Sequence, residues 1–393
     1  MIEGLLTDPA VADLAHRLRP DGDMRESIAR ATWTVIAEPG DTVAGALIEA
    51  LGAADALSLA VGENSSAISS GRGSAAASQA LQDARKRWHP RATVGAVRDA
   101  LNAAVNVQAR LLVPGDECWP TSLDDLGASA PSALWVRGNP ELLTREPRVS
   151  IVGARAASGY GEHVAAELAG DLAATGAVVV SGGAYGIDGT AHRAALGVGG
   201  ATVAFLAGGV DRAYPAGHQL LLRQIASEGA VVSEPPCGTA PTKWRFLARN
   251  RLIAALGQAT VVVEAGWRSG SLNTAGHAAT LGRPLGAVPG PVTSASSAGC
   301  HRLLREYDAQ CVTSASEVRE LWGIGVEGRG ETAGGDPDRT RLLDAMSTKI
   351  RLSVGELASK SGLTPERVSA LLGILQLEDV AQVDGERWRR VRV

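Results

Sequence analysis

The sequence predicts an α/β fold built on a doubly wound, mostly parallel sheet, with a helical region before it and a smaller domain after it. Three observations predict this fold. Short β-branched runs alternate with helical stretches after residue 148, residues 1–110 show helical spacing alone, and the last 55 residues combine helices with a hairpin signal. The length of 393 residues corresponds to two or three domains, and 45% hydrophobic content is enough for a large core.

Residues 1–110 predict a helical accessory domain. Ala, Leu, Ile and Arg recur with helical spacing at 24–37, 42–51 and 78–87. The intervening stretch 62–77 consists mostly of Gly, Ser and Ala, which is typical of a flexible loop. No catalytic pattern occurs in this region.

Residues 111–322 predict the core domain, because strand and helix patterns alternate there. Consecutive apolar positions indicate strands that are buried on both faces, as a parallel sheet covered by helices requires. The runs are RVSIVG, AVVVSGG, TVAFLAGG, AVVSEPP, TVVVEAG, PLGAVPG and QCVTS.

The remaining residues predict a linker and a winged-helix-like domain. Residues 323–338 are rich in Gly and acidic residues and have little to bury, so we expect a linker. Three helical patterns follow at 340–347, 354–361 and 364–377, and Asp384-Gly385 marks a hairpin. Three helices followed by a hairpin over 339–393 are the winged-helix pattern.

Composition excludes several classes of protein. A net charge of −4 argues against coating nucleic acid through bulk charge, so any anion site must be local. The four cysteines form no C-x-x-C pair and the seven histidines show no metal-ligand spacing, which predicts no metal site. Neither a signal peptide nor a membrane-spanning stretch is predicted, and we expect a soluble, cytoplasmic protein.

Glycine turns follow almost every predicted strand and give the first candidate site. Gly153, Ser181-Gly182 and Ser269-Gly270-Ser271 fall at carboxyl ends of strands, where open parallel sheets bind ligands. A dinucleotide cofactor is disfavoured, because the first turn reads GARAASGYG and the second strand ends without an acid. The G-K-[ST] of a P-loop is absent as well, so no cofactor is predicted.

The segment KWRFLARNR at 243–251 contains four cations, two aromatic residues and no acid. It has two interpretations: a solvated helix start with one buried Phe, or a platform for single-stranded nucleic acid. In the second, cations contact phosphates and an aromatic ring stacks on a base. Arg155, on the first glycine turn, adds a cation at the same edge of the sheet.

No catalytic residue is predicted. Asp188 and His192 stand four residues apart on one predicted helix, as an acid–base pair or as a polar pair that orders the preceding loop. The structural interpretation is favoured, because no nucleophile lies at useful spacing. Glu264 is expected to accept hydrogen bonds from nearby loops.

Motifs spread over about 200 residues resemble the DNA-processing protein A family (DprA, also called Smf). They occur in this order: PGDECWPTSLDDL, SIVGARAASGYG, VVSGGAYGIDGTAH, GGVDRAYP, SEPPCGTAP, KWRFLARNRLIAAL, SGSLNTAGHAATLGR and AVPGPV. The resemblance implies a Rossmann-like core without enzymatic activity. It also implies a homodimer that binds single-stranded DNA, protects incoming DNA and helps load the recombinase RecA in natural transformation.

The resemblance also implies roles for single residues. Arg155 and Lys243 would hold phosphates, and Phe246 would stack on a base. The Arg249-Asn250-Arg251 element would position backbone and loop groups.

Two other functions stay open. Phosphoribohydrolase-like enzymes hydrolyse nucleotides at similar glycine-rich edges, but the comparable turn here, SGSLNTAGHA, lacks their glutamate. The C-terminal domain is a candidate reader of duplex DNA or a protein-binding domain. Residues 338–393 contain ten Lys or Arg and eight Asp or Glu. Four of these cations lie in the predicted hairpin: Arg387, Arg389, Arg390 and Arg392.

Overall fold

The computed structural model describes residues 2–62, 75–323, 337–377 and 380–391. Contacts between residues divide the chain into two units, Met1–Gly325 and Val326–Val393, and each is described by itself. No helix in these ranges is both long enough and apolar enough to span a membrane.

The first unit begins with a helical region. Its helices are α1 (Ile2–Leu6), α2 (Pro9–Leu18), α3 (Met24–Ile36), α4 (Thr42–Leu51), α5 (Ala53–Val61), α6 (Ala75–Trp88) and α7 (Val94–Asn106). The helices predicted at 24–37, 42–51 and 78–87 are confirmed as α3, α4 and α6. Of the loop predicted at 62–77, residues 63–74 lie outside the described residues, and its last three residues, 75–77, belong instead to α6. Asp23 and Asp41 cap α3 and α4 by accepting backbone N–H groups, and Trp33 and Trp88 meet edge to face at 5.1 Å in the local core.

A mixed sheet of nine strands forms the centre of the first unit, in the order β1-β2-β6-β5-β4-β3-β7-β8-β9. All seven strands predicted from apolar runs are present, and they pair in parallel. Two strands that were not predicted extend the sheet beyond β6: β2 pairs antiparallel with β6, and β1 pairs antiparallel with β2. The bounds are β1 (Arg110–Leu112), β2 (Leu134–Gly138), β3 (Arg148–Val152), β4 (Val178–Ser181), β5 (Thr202–Leu206), β6 (Ala230–Ser233), β7 (Ala259–Val262), β8 (Leu285–Ala287) and β9 (Gln310–Cys311).

Helices cover both faces of the sheet. They are α8 (Gly159–Ala174), α9 (Ile187–Gly197), α10 (Gln219–Glu228), α11 (Lys243–Leu256), α12 (Ser271–Thr280), α13 (Ala298–Glu306) and α14 (Ala315–Glu320). Alternate residues of β4 enter different cores: Val180 packs with Leu252 of α11, whereas Val179 packs with Leu168 of α8. Both faces of the strand are therefore buried, as the continuous apolar runs predict.

The chain direction across the sheet reverses at β3. From β3 the chain passes to β4, β5 and β6 on one side, and returns to β7 on the other side. The loops after β3 and β7 therefore diverge, which opens a crevice at their carboxyl ends.

The second unit contains three helices and a three-stranded antiparallel sheet of order β10-β12-β11. Its elements are α15 (Pro337–Ala345), β10 (Leu352–Ser353), α16 (Val354–Ser361), α17 (Pro365–Leu377), β11 (Ala381–Asp384) and β12 (Arg387–Arg390). The three predicted helices and the predicted hairpin are present, whereas β10 was not predicted. A capping box of Ser353 and Glu356 begins α16. Most of the predicted linker, 324–336, lies outside the described residues.

Candidate functional site

A cleft of about 620 Å³ opens at the carboxyl ends of β3 and β7, where the chain direction reverses. Five segments of the chain form its walls: the glycine turn after β3, the loop from β4 into α9, the first turns of α11, the loop between β7 and α12, and the loop before α13. The lining residues include Gly153, Arg155, Asp188, Phe246, Arg249, Asn250, Arg268, Ser269, Gly270, Ser271 and Ser296.

Glu264 holds the turn after β3 in place through hydrogen bonds. The Glu264 carbonyl accepts from the Ala154 N–H at 2.6 Å, and its buried carboxylate accepts from the Ser158 N–H at 2.9 Å. The predicted role of Glu264 as an internal acceptor is thereby confirmed. A side chain at Gly153 would meet Ile187, so close packing requires glycine there.

An aromatic ring with a cation against it stands at one side of the cleft. The Arg155 guanidinium carbon lies 4.8 Å from the centroid of the Phe246 ring, within the range of a cation–π contact. Phe246 is half-buried, and Tyr214 packs beside it at 5.4 Å between ring centroids. The Phe246 ring therefore belongs to the rim of the cleft, not to the sealed core.

Distant acids neutralise much of the basic segment at the start of α11. Arg245 makes a two-pronged ion pair with Glu38 at 2.9 and 3.0 Å, and Arg251 makes one with Glu234 at 2.8 Å in both prongs. Lys243 is exposed and has no ion pair or side-chain hydrogen bond with any described residue. Two of the four cations of this segment, Arg245 and Arg251, are therefore neutralised by acids that lie outside the segment in sequence.

Arg249 is buried in the wall of the cleft. It donates to the carbonyls of Gly182 at 2.8 Å and Phe205 at 2.5 Å, while its Nε has no partner among the described residues. Burial lowers the pKa of Arg249 to about 10, partly offset by the charge of Asp188, so the guanidinium is cationic at neutral pH.

Asp188 and His192 do not act as a pair. Burial raises the pKa of Asp188, and its carboxylate accepts from the Gly182 N–H at 3.1 Å, which orders the preceding loop. His192 bonds through Nδ1 to the Thr202 hydroxyl at 2.7 Å, and that hydroxyl donates to the Val179 carbonyl, so Nδ1 carries the proton. Burial lowers the pKa of His192 to about 3, and the ring is neutral at physiological pH. Each residue thus has its own structural partner.

Several residues expected at the site make internal bonds. Ser181 is fully buried and donates to the Ile151 carbonyl at 2.6 Å, and both backbone groups of Gly182 are taken by Asp188 and Arg249. Neither Ser181 nor Gly182 is among the residues that line the cleft. Both lie behind the cleft surface and support it.

The loop before α12 presents hydroxyl groups to the cleft. The hydroxyls of Ser269 and Ser271 bond to each other at 2.7 Å, and Asn250 donates to the Gly270 carbonyl at 3.3 Å. The first N–H groups of α12 already bond to oxygens of residues 269 and 270. These N–H groups are therefore not free to bind an anion, because the tight turn before the helix uses them itself.

Two neighbouring residues in the loop after β7 were not predicted from the sequence. Arg268 lines the cleft, and Trp267 beside it is 58% exposed, with the Arg302 guanidinium carbon 5.3 Å from its ring centroid. The available signal was a Trp-Arg pair in the turn between a buried strand and the next helix. Within the described ranges, no three His, Cys, Asp or Glu side chains are grouped so that they could hold a metal ion.

Comparisons with known proteins identify the family. A sequence model of the family described as DNA recombination-mediator protein A matches residues 110–323. A DNA processing protein DprA of Mycobacterium tuberculosis is 46% identical over 316 residues, which cover 75% of this chain and 80% of the relative.

Two solved structures of DNA processing protein A share the fold. The Streptococcus pneumoniae protein is 29% identical, with a TM-score of 0.59 over 75% of this chain and 96% of its own. The Helicobacter pylori protein, described as having a unique single-stranded DNA binding mode, is 31% identical, with a TM-score of 0.50 over 54% and 94% of the two chains. The resemblance predicted from the motifs is confirmed, and this chain belongs to the DNA recombination-mediator protein A family.

Proposed function

We propose that this protein binds single-stranded DNA in the cleft between β3 and β7 and acts as a recombination mediator. The observation that carries the proposal is the rim position of the Phe246 ring, 4.8 Å from the exposed Arg155 guanidinium. Aromatic rings beside cations bind single strands with little sequence preference, because every base has a face that can stack. The Helicobacter pylori relative, which binds single-stranded DNA, supports the same assignment.

We assign different tasks to the residues around the cleft. Arg155 and Lys243 are exposed and contact phosphates, and Phe246 stacks on a base. Ser269, Gly270 and Ser271 contact the strand from the opposite wall through the two hydroxyls and the backbone. Other residues act by holding the walls in place: Gly153, Ser181, Gly182, Arg249, Asn250 and Arg251.

We expect binding without catalysis. A nucleotide hydrolase needs an acid–base group with a free proton site beside the ligand. Asp188 and Glu264 each accept backbone N–H groups, and the neutral His192 is sealed against Thr202. These engagements favour binding over the phosphoribohydrolase alternative.

We further propose where the protein acts, which partners it binds and what fold its second unit has. We expect the protein to act in the cytoplasm as a homodimer that protects incoming DNA and delivers it to RecA during natural transformation. Three helices followed by a hairpin favour a winged-helix-like second unit. In its hairpin Arg389 bonds to Gln382 and Arg387 donates to the Arg351 carbonyl at 3.3 Å, while both Arg387 and Arg390 are exposed.

A titration of the full chain tests the proposal. Fluorescent oligo-dT and a duplex of matched length are titrated at two salt concentrations. We expect preference for the single strand, with a slope of about −0.7 in log affinity against log salt for each neutralised phosphate. Equal affinity for both DNAs would refute the proposed function.

A further inference from the structure

Trp267 lies beside the cleft, with more than half of its surface exposed. It is in the loop after β7, between Gly266 and Arg268, which both line the cleft. An aromatic ring contributes a large apolar area when it is buried, and 58% of this residue remains uncovered. The ring is therefore available to a partner at the mouth of the cleft.

The surroundings of Trp267 repeat those of Phe246. The Arg302 guanidinium carbon lies 5.3 Å from the Trp267 centroid and 5.7 Å from that of Tyr307. Arg155 lies in the same way against Phe246, at 4.8 Å. Each ring thus has a guanidinium against it and offers a stacking surface, but Arg302 also pairs with Glu306 at 2.7 Å, so the exposed charge beside Trp267 is that of Arg268.

The sheet sets the direction in which the two pairs follow each other. Arg155 follows β3, Trp267 follows the neighbouring strand β7, and Arg302 lies on α13 beyond β8. Because β3, β7 and β8 are neighbours in that order, these groups follow one another across the carboxyl edge of the sheet. A single extended ligand crossing the edge can reach all of them.

We propose that Trp267 is a second base-stacking subsite for the same DNA strand, with Arg268 contacting the phosphate next to the stacked base. This inference rests on the proposed single-strand binding at Phe246. It extends the binding surface from the β3 side of the cleft across β7 to α13. The exposed charge of Arg268 beside the ring favours a nucleic acid over an apolar protein surface as the partner of Trp267.

Affinity for oligo-dT of two lengths, about 4 and about 16 nucleotides, tests the inference with the full chain. Wild type should gain affinity from the shorter to the longer strand, because only the longer one spans both rings. Trp267→Ala should lose about tenfold on the longer strand and little on the shorter one. Trp267→Phe keeps a ring and should retain most of the affinity. Val198→Ala, which alters an exposed apolar residue beyond the end of α9, is the matched control.

Intrinsic fluorescence gives a second measurement. The chain has eight tryptophans, so the difference between oligo-dT titrations of wild type and Trp267→Phe isolates the signal of this ring. We expect quenching in wild type that Trp267→Phe largely lacks at similar affinity. Arg268→Gln should flatten the salt slope by about 0.7, whereas Arg302→Gln should leave it unchanged, because Arg302 already pairs with Glu306 at 2.7 Å.

The outcomes separate the two proposals. If wild type binds neither oligonucleotide, the proposed function fails. If wild type binds both and Trp267→Ala keeps the full length dependence, only the second subsite is overturned. A changed oligomeric state of Trp267→Ala with unaltered DNA affinity would likewise overturn it, and would assign the ring to a contact between copies of the chain.

Discussion

Replacing Arg251 should destabilise the fold without removing a phosphate contact. Its guanidinium donates to both carboxylate oxygens of Glu234 and to the carbonyls of Ser129 and Ala248, all at 2.8 to 2.9 Å. Only 5% of the Arg251 side chain and 10% of the Glu234 side chain are exposed. Arg251→Met therefore leaves a carboxylate buried without its counter-charge.

The expected cost follows from the burial of the pair. Removing one partner of a buried ion pair costs about 3–5 kcal/mol, whereas replacing both by apolar residues costs much less. The double variant Arg251→Met/Glu234→Met should therefore be more stable than the sum of the single losses predicts. Urea unfolding of wild type, both single variants and the double variant measures this coupling. Lys86→Gln, which breaks an exposed pair with Asp83, should leave the urea midpoint unchanged.

DNA binding provides the decisive comparison. At a temperature where Arg251→Met is folded, its salt slope for oligo-dT should equal that of wild type, because an internally paired cation releases no counter-ion. A variant as stable as wild type whose slope is smaller by about 0.7 would refute this reasoning and place Arg251 on a phosphate.

Three further predictions concern the DNA contacts of Arg155 and Phe246, the titration of His192, and the absence of nucleotide hydrolysis. Arg155→Ala should weaken oligo-dT binding and reduce the salt slope by about 0.7. Phe246→Ala should cost about 1–3 kcal/mol of binding free energy and leave the salt slope unchanged. If Phe246→Ala instead lowers the melting temperature without altering the affinity, Phe246 is a core residue. The pKa of His192 falls from 6.5 to about 3 on folding, so the unfolded chain binds more protons than the folded chain between these pH values. The free energy of unfolding should therefore decline as pH falls through that window. His192→Gln should flatten the decline in urea midpoints, whereas His163→Gln, at an exposed position, should not. Incubation with AMP, NAD or ATP should release no product above a blank, with or without divalent metal; release of free base from AMP that disappears in folded Asp188→Asn would overturn this expectation.

The strands could be predicted because each carries its signal locally. Consecutive β-branched residues such as those of β4 and β7 indicate burial on both faces, whatever the rest of the chain does. The strands β1 and β2 carry no such signal. β1 has three residues, and β2 is antiparallel to β6, whose residues pair with it from more than 90 positions away. Their place in the sheet depends on partners that no local pattern specifies.

The site was predicted in outline for the same reason. Glycine turns at strand ends are visible in sequence, and the order of strands brings them to one edge. Which cations are free is not visible, because the partner of Arg245 lies 207 residues earlier, at Glu38. The burial of Ser181 is equally hidden, since its hydroxyl bonds to the neighbouring strand and not to the turn that follows it.

The ion pairs of Arg245 and Arg251 limit how strongly salt can control the protein. Three exposed cations, Arg155, Lys243 and Arg268, remain around the cleft, which corresponds to a slope of about −2. A fourfold rise in salt would then weaken binding about twentyfold, against the roughly thousandfold or greater loss of proteins with many phosphate contacts. A DNA strand that is held mainly through its bases therefore loses less affinity at high salt than one held mainly through its phosphates. A competing ligand that binds those bases should displace such a strand more effectively than added salt does.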